Sequence, residues 1–102
     1  MISVYITCKD KKEAKRISKH LLEKRLIACS NIFPIESMYW WNNKINEDKE
    51  IAIIAKTTKN NFDKIKKEIK NIHSYEVPCV IAWDIVEGNK DYLDWMSRIT
   101  NK

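Results

Sequence analysis

Glycine, proline and cysteine are scarce in this sequence of 102 residues, which contains one glycine, two prolines and three cysteines. A single glycine excludes the glycine-rich loops that hold phosphate groups in P-loop and dinucleotide-binding enzymes. The G-x-S-x-G motif of serine hydrolases is also missing. The odd number of cysteines, with no C-x-x-C pair, argues against a disulfide framework and against a zinc or redox motif, and is typical of the reducing cytoplasm.

Long hydrophobic runs are missing as well. The longest one, residues 51–55, is far too short to span a membrane, and the N-terminal residues lack the basic region and apolar stretch of a secretory signal. We therefore predict a cytoplasmic protein with no membrane insertion. Hydrophobic residues make up 44% of the sequence and charged residues 32%, a balance that predicts one folded domain over residues 1–102.

The hydrophobic pattern predicts strands and helices in alternation. Apolar and polar residues alternate over residues 2–8, which is the period of a strand with one buried face. Asp10 and Glu13 then have the spacing of a helix N-terminus, and this helix is predicted to run to about Arg25. The later elements are strands over 27–41 and 45–58, a helix from about Asn60 to His73, a strand over 80–86 and a short terminal helix.

The order β-α-β-β-α-β-α predicts an α+β fold of the ferredoxin-like, split βαβ type with an extra C-terminal helix. Both main helices then cover one face of a four-stranded sheet. The second and third strands form an unusually long hairpin, with Asn42-Asn43 as its turn because asparagine tolerates positive φ. Pro34 cannot donate a hydrogen bond to a neighbouring strand, so we expect a bend or an exposed edge there.

The pattern of the third strand indicates what happens on the other face of the sheet. Its side chains between residues 51 and 55 point alternately to the two sides, and both sets are apolar. The two main helices cover only one face, and we expect no further element of the chain to cover the second. We therefore predict a homo-oligomer, in which the aromatic hairpin residues 39–41 contact another subunit.

The net charge of +5, from 19 lysine and arginine residues against 14 aspartate and glutamate residues, raises the question of nucleic-acid binding. The basic residues lie on the polar faces of the two main helices, where acidic residues interrupt them, as on solvated surfaces. An RNA-binding protein of this fold would place paired aromatic residues on its two central strands. The first strand offers only Tyr5 and the third offers none, so we predict no nucleic-acid partner.

Cys8 and His73 are candidate metal ligands, because thiolate and imidazole are ligands for copper and zinc. A second interpretation remains open, in which Cys8 is a small buried residue of the first strand. His73 adjoins an irregular turn over residues 74–78, whereas His20 is expected at the boundary of the first helix. Glu50 is either solvated or buried against another subunit, where it would need a partner.

Five segments resemble one known family in order and spacing: Ala28-Cys29-Ser30-Asn31-Ile32, Ser37-Met38-Tyr39-Trp40-Trp41, Glu50 before Lys56-Thr57-Thr58, His73-Ser74-Tyr75-Glu76-Val77-Pro78, and Tyr92-Leu93-Asp94-Trp95. Over nearly its whole length the chain resembles the CutA divalent-cation tolerance family. The resemblance implies a ferredoxin-like protomer that assembles into a homotrimer through the long hairpin. It also implies a cytoplasmic, non-enzymatic role in the tolerance of copper and other divalent metal ions, without an organic cofactor.

The resemblance also implies which residues bind metal. In the family, copper ligands are assigned to the cysteine that ends the first strand, here Cys8, and to a pair of histidines before a Tyr-x-x-Pro turn. Only the second of that pair is present, as His73, because its neighbour is Ile72. The usual proline after this histidine is Ser74, and the usual acid after the later proline is Cys79. One thiol and one imidazole are too few for a closed tetrahedral site, so a metal site would also need Cys79, water or a neighbouring subunit. We therefore expect copper, or another divalent cation, to bind weakly.

A second function remains open, because the family also resembles the trimeric PII signalling proteins. This kinship implies a cleft between subunits, to which we assign Tyr39, Trp41, Glu50, Lys56 and Tyr75. In this alternative Lys56, His73 and Tyr75, near Glu50, bind a small anionic ligand in the cleft, and the protein is a signalling module. A third alternative is an interaction protein whose exposed tryptophans dock a membrane-protein partner.

Overall fold

The chain forms its elements in the order that the sequence predicts. The computed structural model describes residues 1–101. Its elements are β1 (Ile2–Cys8), α1 (Lys11–Glu23), β2 (Cys29–Trp41), β3 (Lys44–Thr57), a short 3₁₀ helix (Lys59–Asn61), α2 (Phe62–Ile72), β4 (Val80–Asp84) and α3 (Lys90–Thr100). No helix within these residues is long and apolar enough to cross a membrane.

Four antiparallel strands make one sheet, in the order β2-β3-β1-β4. Each of the helices α1 and α2 connects two strands that have a third strand between them, which places both helices on the same face of the sheet. The predicted ferredoxin-like α+β fold with an extra C-terminal helix is confirmed. β2 is an edge strand, a position that tolerates Pro34 because the outer side of the strand has no ladder to complete.

The core lies between the sheet and the helices α1 and α2. It consists of apolar side chains without exposed surface, namely Val4, Ile6, Ile17, Leu21, Ile27, Ile53, Ile65 and Ile69. Alternate residues of β1 and β3 and one stripe of each helix supply most of them, as the periods of strand and helix require. Burial of one such side chain stabilises a fold by about 1.5–3 kcal/mol, so this layer determines how the helices sit over the strands.

α1 ends at Glu23, before the predicted end at Arg25. Arg25 has a φ of 60°, a left-handed conformation that stops the helix. The N–H of Leu26 donates to the carbonyl of Leu21 (3.0 Å) and the N–H of Arg25 to that of Leu22 (3.0 Å), the two bonds of a Schellman motif. The boundary depends on a backbone conformation that is unusual for arginine and that the hydrophobic pattern does not encode.

β4 ends at Asp84, before the predicted end at residue 86. Asp84 pairs with Ile2, the first residue of β1, so the ladder stops where β1 begins. Only one bond, from the N–H of Ile85 to the carbonyl of Met1 (2.9 Å), continues beyond it. The length of β4 is therefore set by its neighbour in the sheet.

The second face of the sheet is partly covered by α3, so the expectation that no element of the chain covers it was wrong. α3 packs against β3, and the Tyr92 hydroxyl lies 3.1 Å from the Sγ atom of Cys29, on the side of β2 that faces away from α1 and α2. Beyond α3, the same face carries Tyr5, with Ile81 and Trp83, which are 53% and 47% exposed. We call Tyr5, Ile81 and Trp83 the open-face patch.

The β2-β3 hairpin projects from a molecule whose extents are 45 × 26 × 21 Å. Its turn is Asn42-Asn43, as predicted, and both residues have positive φ (52° and 63°). These angles fit a type I′ turn, whose twist matches that of the two strands. Met38, Trp40 and Ile45 near the turn are exposed, so the end of the hairpin is an apolar surface.

A buried hydrogen-bond network joins β3 to the segment between α1 and β2. The hydroxyl of Thr57, which has no exposed surface, donates to the carbonyl of Leu26 at 2.6 Å. The side-chain amide of Asn61 donates to the same carbonyl (3.3 Å) and to the Thr57 hydroxyl (3.2 Å). Loss of one partner in such a network leaves another polar group buried and unsatisfied.

We predict that Thr57→Val lowers the free energy of unfolding by about 1–3 kcal/mol, because it keeps the side-chain shape but removes the hydroxyl. Denaturant titration followed by circular dichroism measures this change. Thr58→Val is the matched control, since the Thr58 side chain makes no capping hydrogen bond, and we expect it to change the free energy by at most about 0.5 kcal/mol. Equal effects of the two substitutions would show that the network does not stabilise the fold.

Candidate functional site

Cys8 and His73 lie together at one end of the sheet, with Glu13 as a third member. β1 ends at Cys8, α1 has Glu13 in its first turn, and α2 ends before His73, its C-cap residue. The sulfur of Cys8, a ring nitrogen of His73 and a carboxylate oxygen of Glu13 all lie within 4.8 Å of one another. We call this group the Cys8–Glu13–His73 cluster.

Glu13 is the member that sequence reasoning missed. Its backbone N–H donates to the Asp10 carboxylate (2.8 Å), as expected at a helix N-terminus, but its own side chain is buried, with 3% exposed surface. Its carboxylate accepts hydrogen bonds from the N–H groups of Lys9 (3.1 Å) and Ser74 (2.9 Å) and from the Arg16 guanidinium (3.3 Å). Burial acts to raise the pKa of Glu13, but the hydrogen bonds from Ser74 and Lys9 outweigh it and lower the pKa, so the side chain is a carboxylate at neutral pH.

His73 is held through both of its ring nitrogens. Nδ1 accepts a hydrogen bond from the Tyr75 N–H (3.0 Å), and Nε2 lies 2.7 Å from the carbonyl oxygen of Thr7. Because a carbonyl oxygen only accepts, Nε2 carries a hydrogen and donates it, while Nδ1 carries none. A metal ion that binds His73 must displace one of these two backbone partners.

Cys8 is fully buried in the same place. Burial, followed by the negative charges of Glu13 and Glu50, raises the pKa of its thiol to about 12. At neutral pH the sulfur therefore carries its proton. A metal ion would have to replace this proton, because the thiolate is the form of cysteine that binds metal.

The cluster has the donor types of a copper or zinc site, but its donors are already engaged. Thiolate, imidazole and carboxylate are ligands that these two metals accept. In the chain, however, the thiol holds its proton, and the imidazole and the carboxylate each bind two backbone groups. The arrangement can accept a metal ion by breaking some of these contacts, and without one it joins β1, α1 and the end of α2 through hydrogen bonds.

Four of the five residues assigned above to a cleft between subunits line one cavity of about 880 Å³ along the hairpin of the single chain, namely Tyr39, Trp41, Glu50 and Tyr75. We call this cavity the hairpin cleft. The fifth assigned residue, Lys56, does not line it. The ammonium group of Lys56 donates to the Asn31 side chain (2.7 Å) and lies 3.7 Å from the Sγ atom of Cys29, toward the other end of β3.

Glu50 is buried, with 9% exposed surface, and one of its oxygens finds a partner within the chain. The Tyr75 hydroxyl donates to Oε2 of Glu50 at 2.6 Å. Burial, and then this hydrogen bond to a carboxylate, raise the pKa of Tyr75, so the phenol keeps its proton and continues to donate. Tyr75 is thus a partner for Glu50 within the chain, whereas the sequence analysis expected Glu50 to meet only solvent or another subunit.

The other cysteines and the other histidine lie outside the cluster. All three cysteines are free thiols. Cys29 lies beside Tyr92, and Cys79 lines the hairpin cleft. His20 is on the helical layer, where its Nε2 lies 3.6 Å from the Glu68 carboxylate. None of these three side chains adds a ligand to the cluster within residues 1–101.

Comparison with known proteins relates this arrangement to a family. Residues 2–99 match the model of the family described as CutA1 divalent ion tolerance protein. The divalent-cation tolerance protein CutA of Archaeoglobus fulgidus is 48% identical over 95 residues, which is 93% of each chain, and that of Pyrococcus horikoshii is 43% identical over 102 residues, which is 100% of each. A solved structure described as the periplasmic divalent cation tolerance protein CutA from A. fulgidus has a TM-score of 0.96 at 46% identity, and the match covers 98% of this chain and 99% of that one. The chain therefore belongs to the CutA1 divalent ion tolerance protein family.

Proposed function

We propose that this protein acts as a homotrimer in the tolerance of divalent cations and binds copper, or another divalent cation, weakly at the Cys8–Glu13–His73 cluster. Its family and the names of its relatives support the role in divalent-cation tolerance. The observation that supports the proposed metal site is the close approach of a thiol, an imidazole and a carboxylate, whose ligand atoms lie within 4.8 Å of one another. No other three such side chains in residues 1–101 converge as closely.

Weak binding follows from what a metal ion must displace. The thiol of Cys8, whose pKa is about 12, must lose its proton. The imidazole of His73 must lose a hydrogen bond to Thr7 or to Tyr75, and each such bond is worth about 0.5–1.5 kcal/mol. Three protein donors also leave one tetrahedral position to water or to another subunit. A site of this kind releases its ion readily when the metal concentration falls.

A binding role rather than an enzymatic one is supported by the state of Cys8. The thiolate is the nucleophile of cysteine enzymes, and this buried thiol is protonated at neutral pH. The three free thiols support a reducing compartment such as the cytoplasm. The relative from A. fulgidus is described as periplasmic. The proposed location in the cytoplasm is therefore based on the cysteines of this chain and not on its relatives.

Trimer assembly is supported by apolar surface that the chain leaves uncovered. The open-face patch contains Ile81 and Trp83, both exposed, with the Tyr5 and Trp83 rings 6.1 Å apart. The hairpin end adds exposed Trp40 and Met38. Exposed apolar surface on a sheet face and on a projecting element is typical of subunit interfaces.

The PII-like alternative, in which the hairpin cleft binds a small anion, is opposed by the charge of the cleft. Its charged groups are four carboxylates and two ammonium groups, those of Glu36, Asp48, Glu50, Glu76, Lys9 and Lys49. Lys56, which that alternative needs beside the anion, lies outside the cleft. An anion would therefore meet a net negative charge in the hairpin cleft.

We predict that Cys8→Ser and His73→Gln each weaken copper binding by at least about tenfold, since each removes one of three donors and even a lost supporting contact costs a metal site about 10–100-fold. The measurement is calorimetric titration with copper under anaerobic conditions, with redox-inert Zn²⁺ as a second probe. Glutamine at position 73 retains an amide that can donate to Thr7, so the fold is expected to persist.

Cys29→Ser is the matched control for these variants, because it removes a free thiol that lies outside the cluster. We expect it to bind copper as the unmodified protein does. Loss of copper binding in Cys29→Ser, or unchanged binding in both cluster variants, would contradict the assignment of the metal site to Cys8 and His73.

We predict that Ile81→Glu dissociates the trimer, because the substitution places a charge in an interface that would have to bury it. Light scattering at micromolar concentration should give three times the chain mass for the unmodified protein and a lower mass for the variant. Leu22→Glu is the control, since Leu22 is 38% exposed on α1, away from the open-face patch. A monomeric unmodified protein would contradict the proposed assembly.

A further inference from the structure

The helices α1 and α2 concentrate the positive charge of the molecule. Residues 9–25 and 59–73, which contain these helices and their ends, have thirteen lysine and arginine residues against five acids, a net charge of +8. The rest of the chain has a net charge of −3. Because α1 and α2 cover a single face of the sheet, the positive charge is segregated onto one side of the fold.

The acids of α1 and α2 do not offset this charge as freely as their places in the sequence suggest. Each of the four has a cationic partner on these helices or at their ends, and the pairs are Glu13–Arg16, Glu23–Lys19, Asp63–Lys66 and Glu68–Lys24. Glu13 is also buried, and the side chain of Glu68 is only 19% exposed. The four acids are therefore neutralised by four of the cations.

Six lysines of the two helices remain without such a partner. All six are exposed, and within residues 1–101 none has a carboxylate within 4.0 Å. We call them the basic face, and its members are Lys11, Lys12, Lys15, Lys64, Lys67 and Lys70.

The lysines of the basic face are close enough to act together. Lys11 and Lys15 are four residues apart on α1, and Lys64 and Lys67 are three apart on α2. Such positions are neighbours on a helix surface, about 5–6 Å apart at Cβ, where like charges repel. Salt at physiological strength screens charges only beyond about 8 Å. An anionic surface that meets these lysines therefore relieves their repulsion.

The basic face remains accessible in the proposed assembly. It lies on the side of the sheet that α1 and α2 cover, whereas α3 and the open-face patch lie on the other side. Contacts through that patch and the hairpin leave it uncovered. Glu68 of α2 lies beside both Lys24 and His20 at the end of α1, so the two helices present their lysines as one layer.

The composition of the basic face discriminates between anionic partners. Lysine is a hydrated point charge, whereas arginine makes the bidentate contacts by which proteins recognise phosphates and bases. Neither helix has a tyrosine or tryptophan, and the ring of Phe62 is covered by the Lys66 ammonium group at 5.2 Å. Bases of a single strand would find no ring to stack on. Clusters of about four to eight basic residues on amphipathic helices are instead typical of surfaces that bind anionic lipid.

We propose that the basic face docks on an anionic phospholipid surface, held by attraction between its six lysines and the lipid headgroups, without insertion of the chain into the bilayer. The cytoplasmic leaflet is the anionic surface that a cytoplasmic protein meets. The basic face shares no residue with the Cys8–Glu13–His73 cluster, so docking does not depend on metal binding.

The test is co-sedimentation of the assembled, metal-free protein with lipid vesicles. We expect binding to vesicles of phosphatidylserine and phosphatidylcholine in equal parts, and no binding to pure phosphatidylcholine. Binding should be lost in about 1 M sodium chloride, where the screening length falls to about 3 Å. Equal binding to both vesicles, or binding that persists in this salt, would overturn the proposal. Binding to duplex DNA with none to the mixed vesicles would identify a nucleic-acid surface instead and overturn it as well.

Variants then locate the surface. Lys15→Gln combined with Lys67→Gln removes one cation from each helix, and glutamine keeps the helix propensity. We expect at least about tenfold weaker binding to the mixed vesicles, since one lysine near an anionic surface is worth roughly fivefold in affinity.

Lys44→Gln combined with Lys90→Gln is the matched control, because it removes the same charge from exposed positions outside the basic face, on β3 and α3. We expect it to bind the vesicles as the unmodified protein does. Circular dichroism and light scattering check the fold and the mass of both double variants. Unchanged binding in the first double variant, or an equal loss in both, contradicts the assignment to the basic face.

Discussion

The buried carboxylate of Glu13 is the contact on which this end of the molecule depends. It accepts hydrogen bonds from the N–H groups of Lys9, just after β1, and of Ser74, shortly after α2. These bonds join the ends of two elements to the first turn of α1. Hydrogen bonds to a charged acceptor are stronger than those between neutral groups. With Ser74 fixed, His73 lies beside Cys8 and Tyr75 reaches Glu50. One carboxylate in the first helical turn thus positions residues of both the cluster and the cleft.

The cluster and the hairpin cleft differ because side chains alternate along a strand. Cys8 pairs with Ile51 and packs into the core below α1 and α2, whereas Glu50, the preceding residue of β3, points to the opposite face and lines the cleft. In the cluster Cys8 and Glu13 are therefore buried and His73 is half-buried, and the thiol is neutral. In the single chain the cleft is open to solvent and bears net negative charge. A shift of one residue in the register of β3 would exchange these environments. The register between β1 and β3 therefore keeps the cluster on the core face of the sheet and the cleft on the opposite face.

Local patterns predict the fold better than they predict the site. Alternation, helical stripes and the Asn42-Asn43 turn encode the elements and their order, because each depends on residues that are close in sequence. They do not say which surface a helix covers, and for that reason the place of α3 over the second face was missed. Glu13 was missed for a related reason: its spacing from Asp10 already explains it as part of a helix N-terminus. Its contact with Ser74, far along the chain, arises only when α1 and α2 pack side by side.

The hydrogen bonds of the cluster explain how the proposed metal site would exist without being needed for folding. In a zinc finger the ligands have no other partners, so the fold is lost with the ion. Here Thr7, Lys9, Ser74 and Tyr75 supply backbone partners to the imidazole and the carboxylate, and the thiol is a buried neutral group. The free energy of binding at the proposed metal site would then be the difference between two satisfied states rather than a contribution to folding. A protein of metal tolerance benefits from that difference being small, because its fold is then the same whether metal is scarce or abundant.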